Sequence, residues 1–280
     1  MKMPGARGEE NGLSVSIVVY RPDPAILVGT LASLSDAWAA LRVRRPQFPV
    51  TVYLVDNGGL ADISASFNVL REVGIACTTI RGHGNVGYGR GHNLAIKQAR
   101  SRFHLVLNPD IDVDRHALEN AMDFFDCHPD VGLLAPRVGG GGKRLQYLCR
   151  RYPALLDLFI RGFIPIVIRT WFATRLDRYE MRDAINEHDV VLDPPIISGC
   201  FMLFRTQLLK ELAGFDPRYF LYFEDYDLSL RAHTLARVAY VPNVSVIHHG
   251  GGAARKGFAH IRMFLVSACK FYNRFGWKWL

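Results

Sequence analysis

The sequence predicts an α/β fold, a mostly parallel β-sheet flanked by helices, with a helical elaboration towards the C-terminus. One observation is that five short β-branched segments alternate with helical patterns over residues 14–135. Another is that acidic or glycine-rich stretches follow three of those segments where each one ends. Alternating strands and helices are typical of parallel sheets with right-handed crossovers. Ligands of such sheets bind beyond the carboxyl ends of the strands.

Local sequence signals predict each strand and helix of the first half. Short apolar runs rich in β-branched side chains are typical of buried parallel strands, and the predicted strands are residues 15–20, 50–55, 76–80, 103–107 and 131–135. Asp23 and Pro24 form an N-cap and N1 pair, which opens the first predicted helix. The predicted helices are residues 24–41, 63–73, 92–99 and 115–127, the third of them after a glycine-rich loop at 82–91.

The second half of the chain is less regular. Residues 154–172 are strongly apolar, which predicts one apolar helix, kinked at Pro165. The other predicted elements are a hairpin tip or loop at 139–142, strands at 196–204 and 244–247, a helix at 224–235, and a basic amphipathic helix within 255–280. Because no internal repeat and no linker interrupts the sequence, we expect a single domain over residues 1–280.

Composition and charge limit the class of protein. Lysine plus arginine exceeds aspartate plus glutamate by 34 − 26, a net charge of +8 with a pI near 9.4. The excess indicates an anionic partner: nucleic acid, a phosphorylated small molecule or an acidic membrane surface. The five cysteines are far apart and form no CxxC, which favours reduced thiols in the cytoplasm. We expect no secretory signal, and no spanning helix because no uncharged run reaches about 18 residues.

An acidic motif follows the fourth predicted strand. Asp110 and Asp112 are two residues apart at a strand end, so both carboxylates can point into one crevice. Oxygen ligands of this kind suit Mg²⁺ or Mn²⁺ bridging a diphosphate. The alternative is a solvated turn in which Asp114 caps the next helix.

A second acidic pair and a histidine pair occur near the end of the chain. Glu224 and Asp225 are flanked by aromatic residues, whose burial would raise a carboxylate pKa towards that of a general base. The alternative is a helix N-terminus, where acids interact favourably with the dipole. His248 and His249 precede a glycine run, where a histidine can bind metal or phosphate. A structural histidine is the alternative reading.

The glycine-rich stretch from Asn85 to Asn93 allows the backbone to approach a ligand closely, and the following helix start favours anions. Its glycines do not fit GxGxxG, and no GK[ST] follows them. A plain loop is the alternative.

Taken in order, these motifs resemble the family 2 glycosyltransferases, which have the Rossmann-like GT-A fold. The chain reads VVY and VDN at strand ends, then NVGYGRGHN, NPDID, SGCFMLFR, GFDPRYFLYFEDYDLSLR and HHGGG. It most resembles the bacterial rhamnosyltransferase branch that builds O-antigen and cell-wall glycans. The resemblance covers about residues 14–254.

The resemblance implies roles for individual residues. Donor-binding residues are implied at the first two strand ends, in the glycine loop and in the first acid of the DxD: Val19, Tyr20, Arg21, Asp56, Asn57, Asn85, Gly87, Asn93 and Asp110. The implied ligands of Mg²⁺ or Mn²⁺ are Asp110, Asp112 and one of His248 and His249. Residues 14–135 form the implied nucleotide-sugar half and residues 136–254 the implied acceptor and catalytic half.

The chain departs from the family pattern at the end of its first strand. The family usually has a small hydroxyl residue, Tyr and then Asn there, whereas this chain has Val19, Tyr20 and Arg21. We therefore expect a different base or ribose contact, with Arg21 near phosphate.

The resemblance also implies an inverting mechanism. Asp225, with Glu224 beside it, would take the proton of an acceptor hydroxyl as that oxygen attacks the anomeric carbon from the opposite face. The favoured donor is dTDP-rhamnose, and UDP- or GDP-sugars remain open. The acceptor would be a glycan or a polyprenyl-diphosphate-linked sugar, to which Arg150, Arg151 and Tyr222 are assigned.

The apolar segment 154–172 predicts that the protein lies peripherally on the inner face of the cytoplasmic membrane. Asp157, Arg161 and Arg169 fall at spacings of four and eight, which predicts a polar stripe that would meet lipid headgroups. The basic tail would rest on the same anionic surface. The alternative is packing against the core or in a homodimer.

Two other functional classes fit part of the sequence. A nucleic-acid-binding protein would explain the charge, but the chain has no recognised motif and no dense basic stripe, so we expect no nucleic acid partner. A metal-dependent phosphohydrolase would also use DxD and histidine, and it would release phosphate without an acceptor.

Overall fold

The computed structural model describes residues 10–60, 62–140, 145–250 and 257–280. The predicted loop glycines Gly141, Gly142, Gly251 and Gly252 lie outside these residues, as does the end of the resemblance at Ala254. Those predictions therefore have no structural description.

The strands form one large sheet and a small two-stranded one. They are β1 (Glu10–Val19), β2 (Val50–Asp56), β3 (Ala76–Ile80), β4 (Ser101–Leu107), β5 (Ile111–Val113), β6 (Val131–Gly139), β7 (Leu145–Gln146), β8 (Cys149–Arg150), β9 (Val191–Leu192), β10 (Ile196–Ile197), β11 (Phe201–Arg205) and β12 (Arg237–His248). The large sheet has the order β3-β2-β1-β4-β11-β6-β12-β5, with β7 beside β6 and β9 beside β12, and β8 pairs with β10.

The helices cover both faces of the large sheet. They are α1 (Pro24–Arg44), α2 (Ser64–Glu72), α3 (Tyr88–Ile96), α4 (Ala117–Cys127), α5 (Leu155–Phe163), α6 (Ile166–Arg169), α7 (Ala173–Tyr179), α8 (Thr206–Glu211), α9 (Glu224–Ala232) and α10 (Phe258–Phe275), with a 3₁₀ turn at Thr170–Phe172. Helices α1, α2 and α4 pack in one core with the sheet, whereas α3, α8 and α9 contribute to a second core.

The predicted α/β class with a mostly parallel sheet is confirmed. Strands β3, β2, β1 and β4 pair in parallel, and so do β6 and β12. The exceptions are β11, which is antiparallel to β4 and β6, β5 and the short β9, which are antiparallel to β12, and the short β7, which is antiparallel to β6. Short β5 was missed in the sequence because it is only three residues long and coincides with the DxD motif.

The third helix begins earlier than predicted, at Tyr88 instead of residue 92. Two glycines of the supposed loop are therefore helical. A Cβ at Gly89 would lie 2.8 Å from Phe215 Cβ, and a Cβ at Gly91 would lie 2.9 Å from Val18 Cγ1. These glycines allow α3 to pack closely against the sheet and the loop before α9, which is a different use from ligand contact.

The apolar segment 154–172 is divided into separate short helices, whereas the sequence predicted one kinked helix. Helix α5 ends before Pro165, and α6, the 3₁₀ turn and α7 follow as separate short helices. The predicted polar stripe is also wrong, because Asp157 is buried: its Oδ2 accepts the Ala154 N–H at 2.9 Å and its Oδ1 pairs with Arg175 Nε at 2.5 Å. Arg169 Nε donates to the Ile164 carbonyl at 2.6 Å.

The predicted strand at 196–204 is likewise divided. Residues 198–200 form a turn between β10 and β11, so that the two strands belong to different sheets. The glycine at position 199 allows this turn to approach α9 closely.

Among the described residues, α1 is the one helix long and apolar enough to cross a membrane, with a mean hydropathy of 1.3. Half of that apolar window is buried inside the protein. Its inward side chains, Leu27, Leu31, Leu34 and Leu41, belong to the core beneath the sheet. The composition of α1 is accounted for by this packing.

A chain of buried polar side chains lies between β1, β4 and α3. Ser14 Oγ lies 2.7 Å from His104 Nδ1, and His104 Nε2 lies 2.9 Å from Ser16 Oγ. Ser16 Oγ also lies 2.7 Å from His92 Nδ1. Burial lowers the pKa of His104 to about 3 and that of His92 well below its usual value. Both histidines are therefore neutral hydrogen-bonding groups of the core.

We predict that His104→Gln weakens the pH dependence of stability. An unfolded histidine takes up a proton near pH 6.5, whereas His104 stays neutral to about pH 3 in the fold, so its contribution is lost as the pH falls between these values. Below about pH 6 the wild type should lose about 1.4 kcal/mol per pH unit through this group. Urea unfolding of wild type and variant between about pH 7 and pH 5 measures the difference in slope.

The control for this experiment is His188→Gln, at an exposed position. It should keep the wild-type slope. Identical slopes for the wild type and His104→Gln would contradict the prediction.

Candidate active site

The DxD motif and the histidine pair meet at one edge of the sheet. Asp110 follows β4 and Asp112 lies in β5, which pairs with the last residues of β12. This register places His248 Nε2 at 3.4 Å from Asp110 Oδ2 and His249 Nε2 at 2.6 Å from Asp112 Oδ2. The structure thus brings together all four predicted metal ligands as two His–Asp pairs.

The donor chemistry of this cluster fits a divalent cation. Asp110 Oδ1 is buried and has no hydrogen-bond partner among the described residues. Burial disfavours the charge of Asp110, but the hydrogen bond and charge of His248 hold its pKa below the usual value. A Cβ at Gly250 would collide with Asp110 Oδ2, so the backbone lies directly on this carboxylate. Within the described ranges, no three histidine, cysteine, aspartate or glutamate side chains already surround one common point for a metal ion.

The acidic pair opens helix α9 after two strained residues. Tyr222 and Phe223 have φ values of 71° and 65°, a left-handed conformation that is unfavourable for bulky side chains. Phe223 packs against Phe264 and Phe271 of α10, with ring centroids 5.1 and 5.2 Å apart. The C-terminal helix therefore holds the turn that presents the acids.

The two acids have different surroundings. Asp225 Oδ2 accepts the Gly199 N–H at 2.8 Å and its Oδ1 accepts the Tyr226 N–H at 3.0 Å. Burial raises the pKa of Asp225, while these hydrogen bonds oppose the rise. Glu224 is buried and its Oε2 has no partner among the described residues; burial, then the charge of Asp225, raise the pKa of Glu224. Repulsion between the two carboxylates favours a single shared proton, and the backbone hydrogen bonds of Asp225 favour that proton on Glu224.

Tyr88 was missed in the sequence as a site residue. Its hydroxyl lies 2.5 Å from the Gly199 carbonyl oxygen and 3.1 Å from Asn108 Oδ1. Since the Gly199 N–H binds Asp225, Tyr88 fixes the turn that orients this carboxylate. The tyrosine lies within the NVGYG motif, but only the fold places it beside position 199.

The predicted nucleotide residues of β1 and β2 lie at neighbouring strand ends. The Asn57 N–H donates to the Val19 carbonyl at 2.9 Å, and Asp56 Oδ1 accepts the N–H of the glycine two residues later at 2.8 Å. Tyr20 is exposed and the Arg21 guanidinium lies 5.3 Å from its ring centroid. This edge offers an aromatic face, a cation and an acid to a ligand.

The asparagines have mainly structural partners. Asn57 Nδ2 donates to the Gly87 carbonyl at 3.0 Å, and Asn85 Oδ1 accepts the Gly87 N–H at 3.1 Å. Both polar atoms of the Asn93 amide are bound to the Phe215 backbone, at 2.8 and 2.9 Å. These bonds favour a role for Asn93 in positioning the loop before α9 over the predicted donor contact, which stays a prediction.

The predicted acceptor residues separate from one another. Arg150 is buried, whereas Arg151 turns away to form two hydrogen bonds with the Asp183 carboxylate, at 2.9 and 2.7 Å. This ion pair occupies the Arg151 guanidinium and argues against its assignment to the acceptor, which stays a prediction. The Tyr222 hydroxyl lies 2.9 Å from His260 Nδ1 on α10.

Comparison with known proteins identifies a family. The model of the family described as "Glycosyltransferase like family 2" matches residues 38–259. The N-acetylglucosaminyl-diphospho-decaprenol L-rhamnosyltransferase of Mycobacterium tuberculosis is 28% identical over 258 residues, covering 85% of this chain and 76% of that protein. The rhamnosyltransferase WbbL of Escherichia coli K12 is 26% identical over 201 residues, 68% of this chain and 72% of WbbL.

The fold is also similar to that of solved structures. The crystal structure of S. aureus TarS 1–349 superposes with a TM-score of 0.57 and 18% identity. The match covers 94% of this chain and spans 66% of the TarS chain. At this identity the likeness concerns the fold alone.

We predict that Glu224→Gln stabilises the protein at alkaline pH. The folded state holds the Glu224 proton up to about pH 8, whereas the unfolded state loses it near pH 4.5, so wild-type stability falls as the pH rises through this window. Because glutamine carries no charge, the free energy of unfolding of the variant should exceed that of wild type by at least about 1 kcal/mol at the alkaline end of this pH window and by almost nothing at the acidic end. Urea unfolding across the window measures this difference.

Glu211→Gln, at an exposed position on α8, is the matched control and should not change the pH dependence. A Glu224→Gln variant that is no more stable than wild type at the alkaline end would show that Glu224 is not held protonated.

Proposed function

The chain belongs to the glycosyltransferase-like family 2 and is a glycosyltransferase, and from that premise we propose that it transfers L-rhamnose from dTDP-rhamnose to a lipid-linked acceptor with inversion. The sugar is proposed from the two rhamnosyltransferase relatives. The observation that supports the chemistry most directly is that the Gly199 and Tyr226 N–H groups both bind the Asp225 carboxylate, next to the buried Glu224.

We assign the donor to residues 14–135. Tyr20 and the edge of β2 at Asp56 would hold the nucleobase and ribose, and Arg21 would approach a donor phosphate. Asn57, with Asn85, would position the loop at Gly87 for backbone contact with the donor, which agrees with their hydrogen bonds to that loop.

Mg²⁺ or Mn²⁺ would be held by Asp110, Asp112 and one of the two histidines, His248 or His249. The unpartnered oxygen of Asp110 and the mixture of carboxylates and imidazoles support this assignment. When bound there, the cation would neutralise charge that develops on the leaving diphosphate.

Asp225 would act as the general base. Its two backbone hydrogen bonds stabilise the ionised carboxylate and fix its direction, so that it can accept the proton of an acceptor hydroxyl. Glu224 keeps its own proton and leaves one negative charge in the pair. Attack by the acceptor oxygen on the face opposite the diphosphate then gives inversion in one displacement.

The acceptor would be a polyprenyl-diphosphate-linked sugar bound by residues 136–254, with Tyr222 at the strained turn near the base. This class is proposed because the mycobacterial relative is named for such an acceptor. A lipid-linked acceptor requires the enzyme to work beside a membrane surface.

The surface proposed for the membrane is the apolar patch made of α6, the 3₁₀ turn and the C-terminal tail. Val167 and Trp171 are 77% and 84% exposed, and Trp279 is 68% exposed. The tail lies against the start of α5, since the Leu155 N–H donates to the Lys278 carbonyl at 2.8 Å. Exposed tryptophans beside basic residues suit the interface of an anionic bilayer, and this surface would sit at the inner face of the cytoplasmic membrane.

We predict that Asp225→Asn lowers turnover at least about 100-fold and leaves donor binding unchanged, because the base acts on the acceptor proton. Turnover is measured with dTDP-rhamnose, and donor binding by the thermal shift that dTDP-rhamnose produces with Mg²⁺. The control Asp189→Asn, at an exposed position, should behave as wild type.

A variant with more than about a tenth of wild-type turnover would contradict the role of Asp225. A thermal shift with UDP- or GDP-sugars and none with dTDP-rhamnose would overturn the proposed donor.

We predict that the protein floats with liposomes that contain anionic lipid, and that Val167→Glu with Trp171→Glu abolishes this binding. The matched control is Val43→Glu on α1, where valine is 81% exposed outside the apolar patch. Absence of wild-type flotation, together with a stable dimer that the double variant breaks, would show that the patch serves self-association.

A further inference from the structure

Three arginines surround a single carboxylate on the acceptor side of the molecule. Glu180, which follows α7, uses Oε2 for Arg182, with hydrogen bonds of 3.0 and 2.7 Å. Its Oε1 lies 3.8 Å from Arg150 Nη2 and 3.7 Å from Arg161 Nε, both beyond hydrogen-bond length. Two guanidinium groups thus share one carboxylate oxygen that satisfies neither of them.

Arg150 is poorly satisfied for a buried cation. It is 4% exposed, and its hydrogen bond within the described part of the chain goes to the adjacent Cys149 carbonyl, at 2.9 Å. Its other neighbour is the Tyr179 ring, whose centroid is 5.7 Å from the guanidinium carbon. A guanidinium has five N–H donors, and a buried charge without a full set of partners is costly. Such a group is suited to an anion that arrives from outside.

This arginine pair is linked to the base through two tyrosines. Arg161 is on α5, with its side chain 44% exposed, and its charge interacts with the Tyr179 phenol. The Tyr179 hydroxyl lies 2.8 Å from that of Tyr226, which directly follows Asp225 on α9. Arg150 in turn acts electrostatically on the Asp225 carboxylate. A chain of contacts therefore connects the partly exposed Arg161 to the helix that carries the base.

We infer that Arg150 and Arg161 form the subsite for the diphosphate of the acceptor, an inference that rests on the proposed function. A diphosphate offers several charged oxygens, and guanidinium groups bind such oxygens in pairs of charge-assisted hydrogen bonds. Glu180 is the resident counter-ion that holds the two arginines in place while the subsite is empty. The lipid would extend towards the apolar patch and the acceptor sugar towards Asp225.

The donor diphosphate is a separate group at a separate place. Its proposed position is the cluster of Asp110, Asp112 and the two histidines, which is rich in negative charge and depends on a cation. The arginine subsite needs no metal, because its own charges meet the anion. This difference allows the two sites to be tested independently.

The first experiment compares two acceptors that differ only in the diphosphate: alkyl-diphosphate-linked N-acetylglucosamine and the corresponding alkyl glycoside. Arg161→Gln should raise KM for the diphosphate acceptor at least about tenfold, with kcat and the donor KM within about twofold of wild type. It should not change KM for the glycoside. The matched control is Arg151→Gln, since Arg151 is held by Asp183 and should leave both acceptors unaffected.

An equal rise in KM for both acceptors, or no rise for either, would contradict the proposed subsite.

The second experiment does not depend on transfer: inorganic diphosphate is titrated calorimetrically into wild type, Arg161→Gln and Arg151→Gln with EDTA present. We expect wild type and Arg151→Gln to bind it alike, and Arg161→Gln to bind at least about tenfold more weakly.

The calorimetric result separates the two claims. Equal binding by all three proteins would overturn the arginine subsite even if transfer is observed. Selective loss in Arg161→Gln without transfer to any diphosphate acceptor would support the anion subsite and overturn the proposed function.

Discussion

The backbone of Gly199 is the point on which the geometry of the site depends. Its N–H binds the Asp225 carboxylate, and its carbonyl accepts the Tyr88 hydroxyl. A Cβ there would lie 3.2 Å from Asp225 Cβ and 3.3 Å from the Tyr88 hydroxyl oxygen, so a side chain would push the turn and the acid apart. Because Tyr88 also contacts Asn108 at the end of β4, this turn links the acidic pair to the DxD edge.

Buried polar side chains without a full set of hydrogen-bond partners occur on both sides of the candidate site. The lone oxygens of Glu224 and Asp110 and the shared guanidinium groups beside Glu180 all reduce the stability of the free protein. The charges differ by place: the DxD edge offers oxygen ligands, α9 offers an acidic pair, and the α5–α7 side offers surplus positive charge. Under the proposed function this separation would suit a donor diphosphate, an acceptor proton and an acceptor anion, which require different surroundings.

The antiparallel strands bring distant parts of the chain to the candidate site. Strand β11 carries the chain from the turn at Gly199 back across the sheet, between β4 and β6. Strand β12 then runs parallel to β6 and pairs with β5, which brings His248 and His249 to Asp110 and Asp112 from more than a hundred residues away. Helix α10 completes the arrangement by packing on the strained turn before α9.

The sequence by itself determined the α/β class and most of the strands and helices of the first half, and it indicated the acids of the candidate site, because hydrophobic period, capping residues and short motifs are local signals. It could not determine which of Arg150 and Arg151 turns inward, that Asn93 is bound to the Phe215 backbone, that Gly89 and Gly91 are helical, or that Asp157 is buried. It also missed Tyr88 and Glu180. Those outcomes depend on partners distant in the chain, and only tertiary packing decides which polar atoms lose water and which neighbours replace it.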